Sequence, residues 1–214
     1  IISGSVLEIA LSFVLAGAWI SGATLLGEKL GSKRAGLITN LPSNILLSLI
    51  FMALTLGPDY AAATTKGVPV GMTIDTLFTF IFILVAKKGL GKAISISLIV
   101  WAITAYMFIE LIPPLGMGGA IVLYVLVTSL CFILAERVLR IRAVPHKDTT
   151  FSWKQIVLRA LFAGTVVAGA VTIAQFAPPY MTGILATFPA VLSSTLVIFT
   201  LSQGTDFARA TGKI

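Results

Sequence analysis

Seven apolar stretches run through the chain, separated by short segments that carry nearly all of its charge. They lie near Val6–Leu26, Leu37–Leu56, Val68–Ala86, Ala93–Ile112, Gly118–Ala135, Ile156–Ala177 and Met181–Leu201. Each is close to the ~20 residues that cross ~30 Å of bilayer hydrocarbon as an α-helix. None alternates with the two-residue period of a strand, and a barrel needs many more segments. The pattern predicts an all-α, polytopic transmembrane helix bundle with about seven spans.

Composition narrows the class further. Of 214 residues, 57% are apolar and 11% charged, with a mean hydropathy of +1.04. A soluble domain carries about 25% charged residues, so a water-facing surface cannot be built here. The lone Cys131 sits inside an apolar run and forms no internal disulfide, and His146 is the single histidine. That excludes a His-rich metal site. No phosphate-binding glycine loop and no Ser–His–Asp set is present, so neither an enzyme nor a cofactor is expected.

The net charge of +7 reads as a membrane-orientation signal and not as nucleic-acid binding. One side of the predicted bundle collects Lys29, Lys33, Arg34, Lys87, Lys88, Lys92, Arg137, Arg140, Arg142, Lys147, Lys154, Arg159, Arg209 and Lys213; the other has Lys66 alone. The positive-inside rule then puts the N-terminus outside and the C-terminus in the cytoplasm of a cell-membrane, multi-pass protein. A chain starting at Ile1 without Met is expected to be part of a longer translation product. The first apolar run is long enough to span, so no cleavable signal peptide is expected.

The sequence also repeats itself. Residues 36–66, GLITNLPSNILLSLIFMALTLGPDYAAATTK, match residues 183–213, GILATFPAVLSSTLVIFTLSQGTDFARATGK, at a constant offset of 147 without a gap. Gly36, Pro42, Gly57, Asp59 and Lys66 pair with Gly183, Pro189, Gly204, Asp206 and Lys213. Upstream, Ala16, Gly17, Gly22 and Ala23 pair with Ala163, Gly164, Gly169 and Ala170. Apolar composition yields Leu/Ile coincidences, but not Gly, Pro, Asp and Lys in one register. Five predicted spans separate the start of the first copy from the start of the second, an odd number, so the second is expected to be inverted, as in transporters with an in-plane pseudo-twofold axis.

The Gly-Leu-Ile start, the Pro-containing helix and the Gly-x-Asp-x-Ala-x-Ala-Thr tail of residues 36–64 resemble the GlpM-like small membrane proteins, a family of four-helix units. The resemblance covers roughly residues 12–66 and 159–213. It implies a first four-span unit at 1–112, a linker span with a basic loop at 113–150, and a second, inverted unit at 151–214 of which two spans are present. Two further spans would then follow the C-terminus. The resemblance implies little about the substrate.

Candidate site residues follow from polar groups at membrane depth. Asp75 lies about seven residues into the third span, ~10 Å deep, where a carboxylate is costly and normally faces a cavity or a partner. Pro42 and Pro189 each remove a helix hydrogen bond inside an apolar run. Asn40 and Asn44 flank Pro42 on one helix face, and Ser193 and Ser194 follow Pro189. Two kinked helices binding solute, or two packing kinks with self-satisfied hydroxyls, both fit these residues. Asp59 and Asp206 are read chiefly as helix caps after a glycine turn, and Glu8 and Glu110 as an outer rim attracting cations. Gly17, Gly22, Gly164 and Gly169 are expected at close helix contacts. Trp153, Tyr60 and Tyr180 are expected as interface anchors, and Trp101 and Tyr106 at mid-span.

The leading expectation is a secondary transporter of a small solute or ion, working by alternating access between inverted halves. Asp75 would couple it to H⁺ or Na⁺. A non-transporting scaffold for an envelope biosynthetic complex and an ion channel are the alternatives. No selectivity-filter pattern supports the channel. The expected partners are the bilayer, the solute or cation, and a second copy of the chain if it forms a homo-oligomer.

Overall fold

The computed structural model describes the backbone of residues 2–30, 43–141 and 152–213, and the side chains of 6–19, 21, 22, 44–141 and 152–213. These residues form helices and turns, with no strand among them. The helices are α1 (Ile2–Leu30), α2 (Ser43–Leu56), α3 (Pro58–Thr64), α4 (Val68–Val85), α5 (Leu90–Tyr106), α6 (Met117–Ile133), α7 (Trp153–Ala174), α8 (Pro179–Leu185), α9 (Ala190–Gln203) and α10 (Thr205–Gly212). In hydrocarbon the backbone must satisfy its own polar groups, which is why apolar runs of this length become helices.

Five stretches among the described residues are long and apolar enough to cross a membrane: Val68–Lys88, Leu90–Leu111, Met117–Val138, Trp153–Ala174 and Pro179–Gln203. Shorter apolar helical stretches at Val6–Trp19 and Asn44–Leu56 occupy the first two predicted spans. Helices α5 and α6 end in π-helical turns, closed by Ile112 N–H to Met107 O and Leu139 N–H to Leu134 O at 2.9 Å each. The chain divides into two compact units, Ile1–Thr65 with Thr149–Thr182 and Lys66–Asp148 with Gly183–Ile214.

In the first unit α1 packs along α7. A Cβ on Gly17 would stand 3.1 Å from Ala160 O, and one on Gly164 would stand 2.7 Å from Phe13 O. As α1 advances from Phe13 to Gly17, α7 retreats from Gly164 to Ala160, so the helices run antiparallel. The absence of side chains lets the backbones touch, the source of packing energy where lipid is as apolar as leucine. Gly22 and Gly169 have open space where a Cβ would be, so only two of the four glycines are contact points. Helix α2 also packs on α7, and Tyr60 in α3 donates to Ala177 O (2.7 Å) past the end of α7.

In the second unit α4 packs against both α5 and α6. The buried face of α5 repeats every four residues, at Ala93, Ser97, Trp101 and Ala105. Helix α6 covers α4 with little of its own surface and leaves Val122, Val125, Leu126 and Leu130 exposed, as a lipid-facing helix does. Arg209 of α10 donates from Nε to Ile83 O (2.8 Å), a carbonyl in the last turn of α4. Lys213 pairs with Glu136 and donates to Ile141 O (3.0 Å).

The repeated segment has the same local structure twice. Helices α2 and α9 are 14 residues each and start and stop at positions 147 apart. Each is followed by a glycine in the region that favours glycine, Gly57 at φ 94°, ψ 157° and Gly204 at φ 95°, ψ 163°. These glycines occupy the N-caps of α3 and α10, and neither helix has a side-chain cap. Asp59 and Asp206 therefore sit in the first helical turn, where they favour the helix dipole, and are not the caps expected from the sequence.

Candidate functional site

The seventh predicted span is interrupted. Pro189 has no N–H for Leu185 O, and its ring would collide with that carbonyl in a continuous helix. The residue before a proline is also pushed away from helical geometry. Accordingly α8 stops at Leu185 and α9 restarts at Ala190, with Pro189 at its N-cap. The loosened carbonyls are recaptured locally. Ile184 O accepts from Thr187 N (3.2 Å) and Oγ1 (2.8 Å), Leu185 O from Phe188 N (3.1 Å), and Pro189 O from Ser193 N (2.7 Å).

This break rests on α4. A Cβ on Gly71 would lie 2.3 Å from Thr187 Oγ1 and 3.0 Å from Ile184 O, so only glycine fits there without displacement. One turn further along α4, Asp75 accepts a hydrogen bond from the indole Nε1–H of Trp101 on α5, at 2.8 Å from Oδ1. Trp101 is 6% exposed, and its ring meets Phe188 edge-on with centroids 5.1 Å apart and planes at 84°. Asp75, Trp101 and Phe188 thus form one chain of contacts ending beside Pro189. The threonines of α4 are committed to their own helix: Thr73 donates to Pro69 O, Thr76 to Met72 O and Thr79 to Asp75 O. Among the described residues no group of three or more His, Cys, Asp or Glu can hold a metal ion.

The other predicted site residues divide cleanly. Asn40 and Pro42 lie outside the described residues. Asn44 opens α2 with a buried Oδ1 that makes no hydrogen bond, and buried Ser48, one turn on, leaves its Oγ likewise without a partner. Ser194 donates to Val191 O, the self-satisfied arrangement, whereas Ser193 Oγ is buried without a partner. Asp59 and Glu110 are exposed. Asp206 is exposed too, 3.7 Å from Lys87 and 3.4 Å from Arg209. Tyr106 is exposed, whereas Tyr60 spends its hydroxyl on Ala177 O and Thr182.

Two residues gain weight from the structure. Trp101 was expected only at mid-span, and nothing local in the sequence marks it as the partner of Asp75. Arg159, grouped by sequence with the loop cations, is inside α7 and 2% exposed. Its position within the predicted span Ile156–Ala177 was the available signal, since a membrane-depth arginine is rarely incidental.

A family model described as a protein of unknown function (DUF3147) matches residues 9–112. No curated protein and no solved structure matches the chain.

Proposed function

We propose that the protein is a secondary transporter that carries a small solute across the cell membrane through the region of the broken span Pro179–Gln203. One observation carries this reading: the break at 186–189 lies on Gly71 and connects through Phe188 and Trp101 to the intramembrane carboxylate Asp75. Interrupted membrane helices present backbone groups that a continuous helix hides, and transporters place their binding sites there. A carboxylate at that depth is expensive unless partnered and is characteristic of ion pathways.

The inverted repeat and the seven-span count belong to the same proposal. The offset of 147 exchanges Gly17 with Gly164 and Phe13 with Ala160, so the two close contacts of α1 with α7 are images of each other. A twofold axis produces reciprocal contacts of this kind, and antiparallel directions are what an axis in the membrane plane requires. The matched bounds of α2 and α9 support the same relation. The four-span unit at 1–112 and the GlpM-like resemblance are part of this reading. We place the N-terminus outside and the C-terminus in the cytoplasm on the distribution of lysine and arginine.

The test is flux in proteoliposomes containing a trapped pH dye, challenged in turn with small amino acids, carboxylates and amines. Saturable solute-dependent flux, lost in Asp75→Asn at unchanged thermal stability, is the expected result. Absence of flux with every solute, together with a neutral or stabilising Asp75→Asn, overturns transport in favour of a scaffold. Non-saturating ionic current overturns it in favour of a channel.

A further inference from the structure

We infer that the ion coupled at this site is a proton carried by Asp75, and that Trp101 is the positioning residue that conveys its arrival to the broken helix. The role rests on the transport reading above, whereas the geometry and the test below stand without it. An alkali cation needs a shell of oxygens to replace its water. The contacts of Asp75 among the described residues show no such shell: Oδ1 already receives the positive end of an indole N–H, and the break meets Trp101 with the aromatic ring of Phe188. The buried face of α5 adds the single hydroxyl of Ser97. A proton needs only one oxygen lone pair. The step adds H⁺ to Oδ2 of the ionised carboxylate, giving a neutral acid, and no other covalent bond changes.

The consequence passes through a strong hydrogen bond. An N–H donated to a carboxylate is charge-assisted and roughly twice as strong as one donated to a neutral acceptor. Protonation therefore loosens the hold of Asp75 on Trp101. The Trp101 ring packs edge-on against Phe188, the residue before Pro189, so a shift of the indole reaches the joint between α8 and α9. Aromatic pairs of this geometry have a preferred orientation that a small rotation disturbs.

Other ionisable groups on the packed elements are accounted for. Helix α5 brings Lys92 and Tyr106, and its π-helical end brings Glu110, all exposed. Helix α6 brings Tyr124 and Cys131, one turn either side of Thr128, whose hydroxyl meets that of Thr76 at 3.2 Å. Lys87, Glu136, Asp206, Arg209 and Lys213 gather at the far end of α4, two or more turns away, where Arg209 binds Ile83 O and Lys213 pairs with Glu136. The segment 183–203 of the broken span carries none.

Trp101 itself reports the event. Trp19 and Trp153 are 53% and 71% exposed, so replacing both by Phe is expected to leave a folded full-length chain with Trp101 as its one tryptophan. Its fluorescence in nanodiscs, followed from pH 4 to 10, is expected to show one transition, retained in Tyr124→Phe and Cys131→Ser and lost in Asp75→Asn. Replacing choline chloride by 100 mM NaCl at fixed pH is expected to leave the emission unchanged. A flat pH response, a transition that survives Asp75→Asn, or a sodium-dependent change abolished by Asp75→Asn each overturns the proposal. Because the readout needs no solute, a flat response leaves transport by another ion standing. A clear transition with no flux removes transport alone.

Discussion

The carbonyl oxygen of Phe13 lies 2.7 Å from the point where a Cβ on Gly164 would stand, closer than real Cβ atoms approach backbone. That oxygen cannot withdraw without moving α1. Gly164→Ala is therefore expected to destabilise the protein by about 1–3 kcal/mol, the usual cost of overpacking. Gly17→Ala, at 3.1 Å from Ala160 O, should be the milder of the pair. Gly22→Ala and Gly169→Ala meet nothing within 4 Å and should be neutral or slightly stabilising. Thermal unfolding in one detergent ranks all four. Equal effects at Gly164 and Gly169 would contradict the packing.

Gly71 makes the corresponding contact beneath the helix break. Gly71→Ala should cost about 1–3 kcal/mol by overpacking against Thr187. Thr187→Ala removes the nearest obstructing atoms, at 2.3 and 2.6 Å, but leaves Ile184 O at 3.0 Å. The double variant should recover part of the loss and not all of it. The checking measurement is a double-mutant cycle, with a coupling energy of about 0.5–3 kcal/mol expected for residues in contact. Strict additivity would mean that the break does not sit on Gly71.

The charges at the end of α4 should behave unequally. Arg209, with 13% of its side chain exposed, satisfies Ile83 O, so Arg209→Ala should destabilise by about 1–3 kcal/mol, as for a charged hydrogen bond lost. Asp206→Asn removes only the ion pairs that an exposed carboxylate makes with Lys87 and Arg209, and should change stability by less than about 1 kcal/mol. Denaturation of both variants beside the parent tests the contrast. A large loss in Asp206→Asn would return that residue to the candidate site.

Orientation is checked by labelling. In a Cys131→Ala background, Pro178→Cys should react with an impermeant thiol reagent added to intact cells, and Lys147→Cys should not. The reverse pattern would turn the whole chain over.

Much of this molecule is written locally. Apolar runs of membrane length specify helices because lipid leaves the backbone no other partner. The interruption near Pro189 follows from a missing N–H and a ring collision within four residues, and the paired glycines after α2 and α9 follow from one repeated segment. What the tertiary structure decided is which polar groups meet. Asp59, Asp75 and Asp206 are all carboxylates near helix ends or within spans, yet only Asp75 receives an indole N–H, while Asp59 and Asp206 face outward. Asp75 and Trp101 are 26 residues apart on different helices, as Arg209 and Ile83 are 126 apart. Those pairings depend on the rotation and register of each helix against its neighbour, which packing sets and no short stretch of sequence encodes. Gly22 and Gly169 make the same point from the other side: they share the spacing of Gly17 and Gly164 in the sequence, but the α1–α7 crossing reaches only the earlier pair.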